Sequence, residues 1–212
     1  MICLPPDAMP FLRQQRTEYA DNPTVETQAG YDADVAEFAD SVRPFLPAQR
    51  SEMRFIDIGC GIGFGLLGLL RIYGPEHSFV AIDRGTQSSK VAYGFSEAPS
   101  AYNSLRLTRE TLIGAGVSAD RIECVDIDFE PFPTGSANIV TSTYAWGYHF
   151  PIDVYLEEVE SVLLPDGIVI VDLRRGQGQE SIVGERFEIV QAWTGPKDKS
   201  DRLILKRKHG DG

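Results

Sequence analysis

Residues 57–65 read Asp57-Ile58-Gly59-Cys60-Gly61-Ile62-Gly63-Phe64-Gly65, and this stretch decides the fold. It begins at the end of a short apolar run, residues 55–58, that predicts a buried strand, and an apolar helical run follows at residues 66–73. Glycines in such a turn let the backbone adopt positive φ and pass close to a ligand. The sequence therefore predicts a ligand-binding turn at the carboxyl end of a parallel strand, where open α/β sheets bind their ligands.

Strands and helices alternate on the carboxyl side of this turn. Apolar runs predict further strands at residues 78–82, 121–125, 137–142 and 168–172, and helical patterns fill residues 101–115 and 154–164. Nearly continuous apolar strands separated by helices indicate a parallel sheet covered on both faces. Residues 187–193 and 202–206 read as a hairpin. We therefore predict a doubly wound α/β fold with a mostly parallel, seven-stranded sheet and an antiparallel edge hairpin.

The chain divides at about residue 50. Residues 1–50 are predicted to be an N-terminal helical cap segment, with an irregular, proline-broken start and one amphipathic helix at residues 31–46. Residues 51–212 are predicted to form the ligand-binding domain.

Composition narrows the possible partners. The net charge of −11 repels phosphate backbones and anionic lipids, so long nucleic acid and membrane surfaces are not expected partners. The chain has no apolar run long enough to span a membrane, its opening residues are not expected to be a secretory signal, and its three cysteines lack metal-site or disulfide spacing. These features predict a cytoplasmic protein without a metal site.

Two ligand classes compete for the glycine turn. A dinucleotide fingerprint fits only the register Gly63, Gly65, Gly68, which begins five residues beyond the strand, so a nicotinamide cofactor is the weaker alternative. Asp57 followed by glycines at alternate positions instead resembles the first motif of class I S-adenosylmethionine-dependent methyltransferases. A plain tight turn without a ligand is the third reading.

The resemblance extends from residue 53 to about residue 172. It implies a Rossmann-like fold over residues 51–212, S-adenosyl-L-methionine as cofactor and S-adenosyl-L-homocysteine as product. Asp83 ends the second strand, where a carboxylate can accept hydrogen bonds from both ribose hydroxyls. The resemblance implies that Asp126 faces the adenine, with Asp128 as the alternative. The candidate cofactor-binding residues are Asp57, Gly59, Cys60, Gly61, Gly63, Asp83, Arg84, Asp126, Ile127 and Ser142. Asn138 and Asp166 depart from the family pattern, at structural positions.

The run that follows the fourth strand, residues 141–151, is aromatic and contains His149. A histidine can take a proton from a hydroxyl near neutral pH, so His149 is the candidate catalytic base; packing against the next helix is the competing role. Trp146 and Tyr148 are candidates for the wall of the acceptor site. Tyr93 and Tyr102, in the long connection of residues 84–103, are further candidates on a possible lid.

These residues lead to a functional prediction. We expect methyl transfer to a small hydroxylated acceptor, a sugar or secondary metabolite, and the aromatic residues resemble those of bacterial sugar O-methyltransferases. Nucleic-acid amino methyltransferases carry a tetrapeptide at this place, an acidic residue or Asn followed by two prolines and an aromatic residue. This chain lacks it, which argues against methylation of the amino groups of bases. The alternatives are a methyltransferase acting on protein or nucleic acid, a non-catalytic S-adenosylmethionine-binding protein and an NAD-dependent oxidoreductase.

Overall fold

A computed structural model describes residues 2–85, 94–96, 103–194 and 199–208. Its centre is a seven-stranded sheet with the strand order β3-β2-β1-β4-β5-β7-β6. The strands are β1 (Arg54–Ile58), β2 (Ser78–Asp83), β3 (Ile122–Asp126), β4 (Ala137–Ser142), β5 (Leu163–Arg174), β6 (Phe187–Thr194) and β7 (Ser200–Arg207). The five strands from β3 to β5 pair in parallel, and β7 pairs antiparallel with both β5 and β6. The predicted seven-stranded fold with an antiparallel edge is confirmed.

Six α-helices accompany the sheet in the described residues: α1 (Met9–Gln15), α2 (Thr24–Val42), α3 (Phe64–Tyr73), α4 (Leu105–Gly114), α5 (Leu156–Val162) and α6 (Gln179–Arg186). The buried side chains form two apolar clusters. Helices α1 to α4 contribute to one cluster, together with Phe55 and Ile139 of the sheet, and α5 and α6 contribute to the other, together with Ile56 and Val140. Since side chains alternate between the faces of a strand, the sheet is covered on both sides. No helix in these described ranges is long and apolar enough to cross a membrane.

The N-terminal segment is more regular than the sequence predicted. Helix α2 begins at Thr24 rather than at residue 31, and α1 precedes it. The buried face of α2 starts with Thr27 and continues through Tyr31, Val35 and Phe38. Because its first member is polar, the periodicity of apolar residues alone misses the first two turns. Apolar residues from Leu4 to Val42 share the core cluster that contains Phe55.

Other element boundaries also differ. Helix α4 starts at Leu105 rather than residue 101, and α6 was not predicted because it carries few apolar residues. The predicted helix of residues 154–164 begins with a 3₁₀ turn at Ile152–Tyr155 and ends at Val162. Strand β5 then starts at Leu163, so residues 165–167 lie within its span, where the pairing with β4 shifts register between Ala137 and Ile139.

Candidate active site

The glycine turn connects β1 to α3 and has the backbone geometry that the sequence predicts. Gly59, Gly61 and Gly63 have φ values of +68°, +53° and +89°, which disfavour any residue with a Cβ atom. A Cβ on Gly59 would lie 2.2 Å from the Cβ of Ala145, in the loop after β4. The glycine is therefore required for the cofactor turn and the β4 loop to approach each other.

Asp83 is the polar centre of this region. One carboxylate oxygen, Oδ2, accepts hydrogen bonds from the backbone N–H of Gly61 and from Nδ2 of Asn103, both at 2.9 Å, while Oδ1 accepts the backbone N–H of Arg84 at 2.8 Å. Burial raises the pKa of Asp83, and these donors act in the opposite direction. A carboxylate has about four lone-pair sites, so these three bonds leave room for one more donor. Both hydroxyls of a ribose could bind only if Asn103 released its bond.

Asp57 lies below the turn at the end of β1. It is 1% exposed, and neither carboxylate oxygen has a hydrogen-bond partner. Burial raises its pKa well above the ordinary value, and the nearby Asp83 adds to the effect, whereas the N–H groups of Leu66 and Gly65 at the start of α3 lower it. The buried hydroxyls of Tyr31 and Thr141 also lack partners, and Thr141 pairs with Asp57 across the sheet. Buried polar groups are normally satisfied, so these three side chains form an unusual unsatisfied cluster beneath the turn.

Three side chains that sequence analysis missed complete the turn. Oε1 of Gln15, at the end of α1, accepts the backbone N–H of Ile62 at 3.2 Å, and its Nε2 donates to Oδ1 of Asn103 at 3.4 Å. Thr108 of α4 donates to the carbonyl of Gly61 at 2.6 Å. No local signal identifies these residues, because they are 20 to 88 positions from their partners.

The ends of β2 and β3 lie side by side, with Asp83 opposite Asp126 in the parallel register. Oδ1 of Asp126 accepts the backbone N–H of Asp128 at 3.2 Å, and its Oδ2 would lie 2.3 Å from a Cβ on Gly85. The side chain of Arg84 donates to both oxygens of Asp128, at 2.9 and 3.1 Å. Asp128 is thus engaged in an ion pair, and Asp126 remains the better candidate for adenine.

Two other predicted cofactor residues, Ile127 and Cys60, lie against Asp83 through their backbone or their packing. Ile127 is half-buried against the core and donates its backbone N–H to the carbonyl of Asp83 at 3.1 Å. Cys60 is buried with its Sγ 4.0 Å from Oδ2 of Asp83, and burial raises the pKa of this thiol well above the ordinary value.

Two predicted site residues belong to the core instead. Ser142 is fully buried, donates its hydroxyl to the carbonyl of Ile58 at 2.7 Å and accepts the backbone N–H of Trp146 at 2.9 Å. Trp146 is also fully buried, and its indole donates to the carbonyl of Ile152 at 2.6 Å. Neither side chain is exposed in this structure, and their assignments to cofactor and acceptor stay predictions. They hold the β4 loop on the sheet.

The remaining acceptor candidates in the described residues are His149, which is half-buried, and Tyr148, which is 7% exposed. Their rings meet edge to face at 4.9 Å, and Tyr144, whose φ of +55° is rare for a side chain of this size, packs on Tyr148 at 5.2 Å. Nδ1 of His149 lies 2.9 Å from the carbonyl of Gly94, and its backbone N–H donates to Ala145. Tyr93 and Tyr102 lie outside the described residues, as does most of the connection that carries them.

Comparisons with known proteins agree with this geometry. A family model described as "Methyltransferase domain" matches residues 31–199. A search of curated proteins gives no significant match.

Solved structures share the fold at low sequence identity. A TehB-like S-adenosylmethionine-dependent methyltransferase from Corynebacterium glutamicum has a TM-score of 0.52 at 14% identity, over 95% of this chain and 98% of that one. The mitomycin 7-O-methyltransferase MmcR has a TM-score of 0.52 at 14% identity, over 83% of this chain and 54% of that one. A candidate rRNA methylase from Clostridium thermocellum has a TM-score of 0.52 at 13% identity, over 82% of this chain and 96% of that one.

The family match covers most of the chain, from α2 to the start of β7, and includes the glycine turn, Asp83 and the β4 loop. The chain therefore belongs to the class I S-adenosylmethionine-dependent methyltransferases, and S-adenosylmethionine is its cofactor.

Proposed function

We propose that this protein transfers the methyl group of S-adenosylmethionine to a hydroxyl of a small acceptor, a sugar or secondary metabolite. The observation that carries the proposal is the direct contact between the two halves of the site. Gly59 of the cofactor turn approaches Ala145, whose carbonyl accepts the backbone N–H of His149 at 2.7 Å. A methyl donor on the turn would thus lie beside a residue that can accept a proton.

The residues around the turn fit this cofactor. When bound, S-adenosylmethionine supplies a methyl group already activated on a positively charged sulfur. Asp83 would accept one ribose hydroxyl, or both once Asn103 released its bond, and Asp126 at the end of β3 would face the adenine. The unpartnered carboxylate of Asp57 would be stabilised by positive charge nearby, because opposite charges favour the ionised form of a buried acid.

His149 would act on the acceptor. A hydroxyl is a poor nucleophile until its proton leaves, so a nearby base lowers the barrier. If Nδ1 carries the ring proton and donates it to Gly94, then Nε2 is the acceptor nitrogen of the imidazole. The remaining rate enhancement comes from positioning the two reactants, since the donor needs no further activation.

The net charge of −11 favours a small acceptor over nucleic acid. Duplex DNA and tRNA are expected to bind weakly at physiological salt. A tight complex with a steep salt dependence would instead favour the nucleic-acid alternative.

The direct test is to incubate the protein with methyl-labelled S-adenosylmethionine and a metabolite extract, and to identify labelled species by mass. We expect a small product bearing a methyl ether, formed in parallel with S-adenosylhomocysteine. Label found only in protein or RNA would contradict the proposed acceptor class, and cofactor binding without any labelled product would favour a non-catalytic binding protein.

A further inference from the structure

Arg174 lies at the carboxyl end of β5, beside the loop that carries His149. Its backbone N–H donates to the carbonyl of Gly147 at 2.9 Å. Its guanidinium carbon is 5.3 Å from the centre of the Tyr148 ring, within the range of a cation–π contact. Because Tyr148 in turn contacts His149, the three side chains form one continuous strip at the lip of the proposed acceptor site.

The guanidinium of Arg174 differs from those of the other buried or half-buried arginines in the described residues. Nine arginines there are buried or half-buried, and Arg174 alone among them donates no side-chain hydrogen bond. It also forms no ion pair. The guanidinium is half-buried, and its five donors are available to an acceptor outside the protein.

The acidic residues nearest in sequence are already paired. Asp172, two positions earlier on the same face of β5, binds Arg202 through two bonds of 2.7 and 2.8 Å, and both side chains are buried. Arg175, the next residue, pairs with Asp201 of β7. Arg174 is therefore left without a paired carboxylate, and it lies at the proposed acceptor site of a protein whose net charge is −11.

We propose that Arg174 binds a carboxylate of the methyl acceptor, with Tyr148 packed beneath the guanidinium. This inference rests on the proposed function and specifies the acceptor as a hydroxylated carboxylic acid. A guanidinium matches a carboxylate through two parallel hydrogen bonds, and an aromatic ring beside it holds its plane in place. A single cation balances a monoanion better than a doubly charged phosphate. The other half-buried arginines of the described residues that lack an ion pair donate to backbone carbonyls instead.

The test uses matched probes that differ only in charge: 4-hydroxybenzoate against 4-hydroxybenzamide, and glucuronate against glucose. Calorimetry measures binding of each probe to the full chain saturated with S-adenosylhomocysteine. We expect the carboxylate of at least one pair to bind about 10-fold or more tightly than its neutral partner, as charge-assisted bonds to arginine provide. Arg174→Gln should reduce that preference to within about 2-fold, which is far below the charge-assisted range.

Arg71→Gln is the control, because Arg71 is exposed near the end of α3 and has no ion pair in the described residues. It removes the same charge and should keep the preference. Arg174→Lys should keep part of it, and near-normal thermal unfolding of both Arg174 variants would show that they fold.

The outcomes separate this inference from the proposed function. Equal binding within both pairs, absence of binding by every carboxylate probe, or an Arg174→Gln variant with undiminished preference would overturn the carboxylate site. In each case, methylation of a neutral hydroxylated acceptor would leave the proposed function intact. Failure of the protein to bind S-adenosylhomocysteine would instead count against the proposed function.

Discussion

The carboxyl ends of β1 and β2 differ from those of β4 and β5 in how their chemistry is encoded. At β1 and β2, the glycine turn and Asp83 are local features, and the backbone itself forms the site. At β4 and β5, the loop residues divide between core and crevice, with Trp146 fully buried and His149 at the lip. A shared cofactor is therefore bound by a recognisable motif, whereas the acceptor is bound by side chains whose roles depend on packing.

The largest expected effect is on the acceptor side. His149→Ala should lower kcat by about 10²–10⁴-fold, the usual contribution of a general base, while cofactor affinity stays within a few-fold. His149→Asn is the matched control, since its amide N–H can still donate to the carbonyl of Gly94 but it offers no basic nitrogen. Steady-state kinetics on both variants distinguish a general base from a residue that only positions its neighbours. Recovery of kcat in the Asn variant would assign His149 a positioning role.

On the cofactor side, Gly61→Val should lower S-adenosylmethionine affinity by about 100-fold or more, equivalent to about 3 kcal/mol. Gly61 has a φ of +53°, and a Cβ there would lie 2.6 Å from Oε1 of Gln15. Gly74→Val shares the positive φ, at +87°, but its Cβ would meet nothing within 4 Å. Calorimetry should therefore show normal binding in the Gly74 variant, and equal loss in both would attribute the effect to general strain.

The smallest expected effect concerns Asp57. Burial raises its pKa, so the folded state holds a proton that the unfolded state releases, and unfolding free energy falls as pH rises from about 3.9 to the folded-state pKa. The unfolding free energy of Asp57→Asn should not fall in this pH range. Without cofactor at pH 8, the variant should therefore unfold at least about 2–4 °C higher than the natural protein, the shift expected for about 1 kcal/mol.

The Asn variant should also gain less thermal stability from S-adenosylmethionine than the natural protein, because the cofactor's positive charge no longer offsets a buried carboxylate. Thermal unfolding from pH 4 to 8, with and without cofactor, checks both effects. Parallel pH curves for the two proteins would contradict the account of Asp57.

Sequence patterns predicted the sheet well because its strands are nearly continuous apolar runs and its key turn is local. They assigned Ser142, the last residue of β4, and Trp146, in the loop after it, to the site from composition alone, and only packing shows that their polar atoms bond to backbone. Gln15 and Asn103 were missed since their partners are distant in the chain. Adjacent arginines look equivalent in sequence, yet β7 supplies a carboxylate to Arg175 and leaves Arg174 unpaired.

The central claim is that the turn and Asp83 together bind S-adenosylmethionine, and calorimetry on Asp83→Asn tests it most directly. Loss of a carboxylate that accepts charge-assisted bonds should weaken binding by about 10–150-fold, or 1.5–3 kcal/mol. Asp40→Asn, at an exposed position on α2, should bind normally. Unchanged affinity in a folded Asp83→Asn protein, or tighter binding of NAD than of S-adenosylmethionine by the natural protein, would contradict the account.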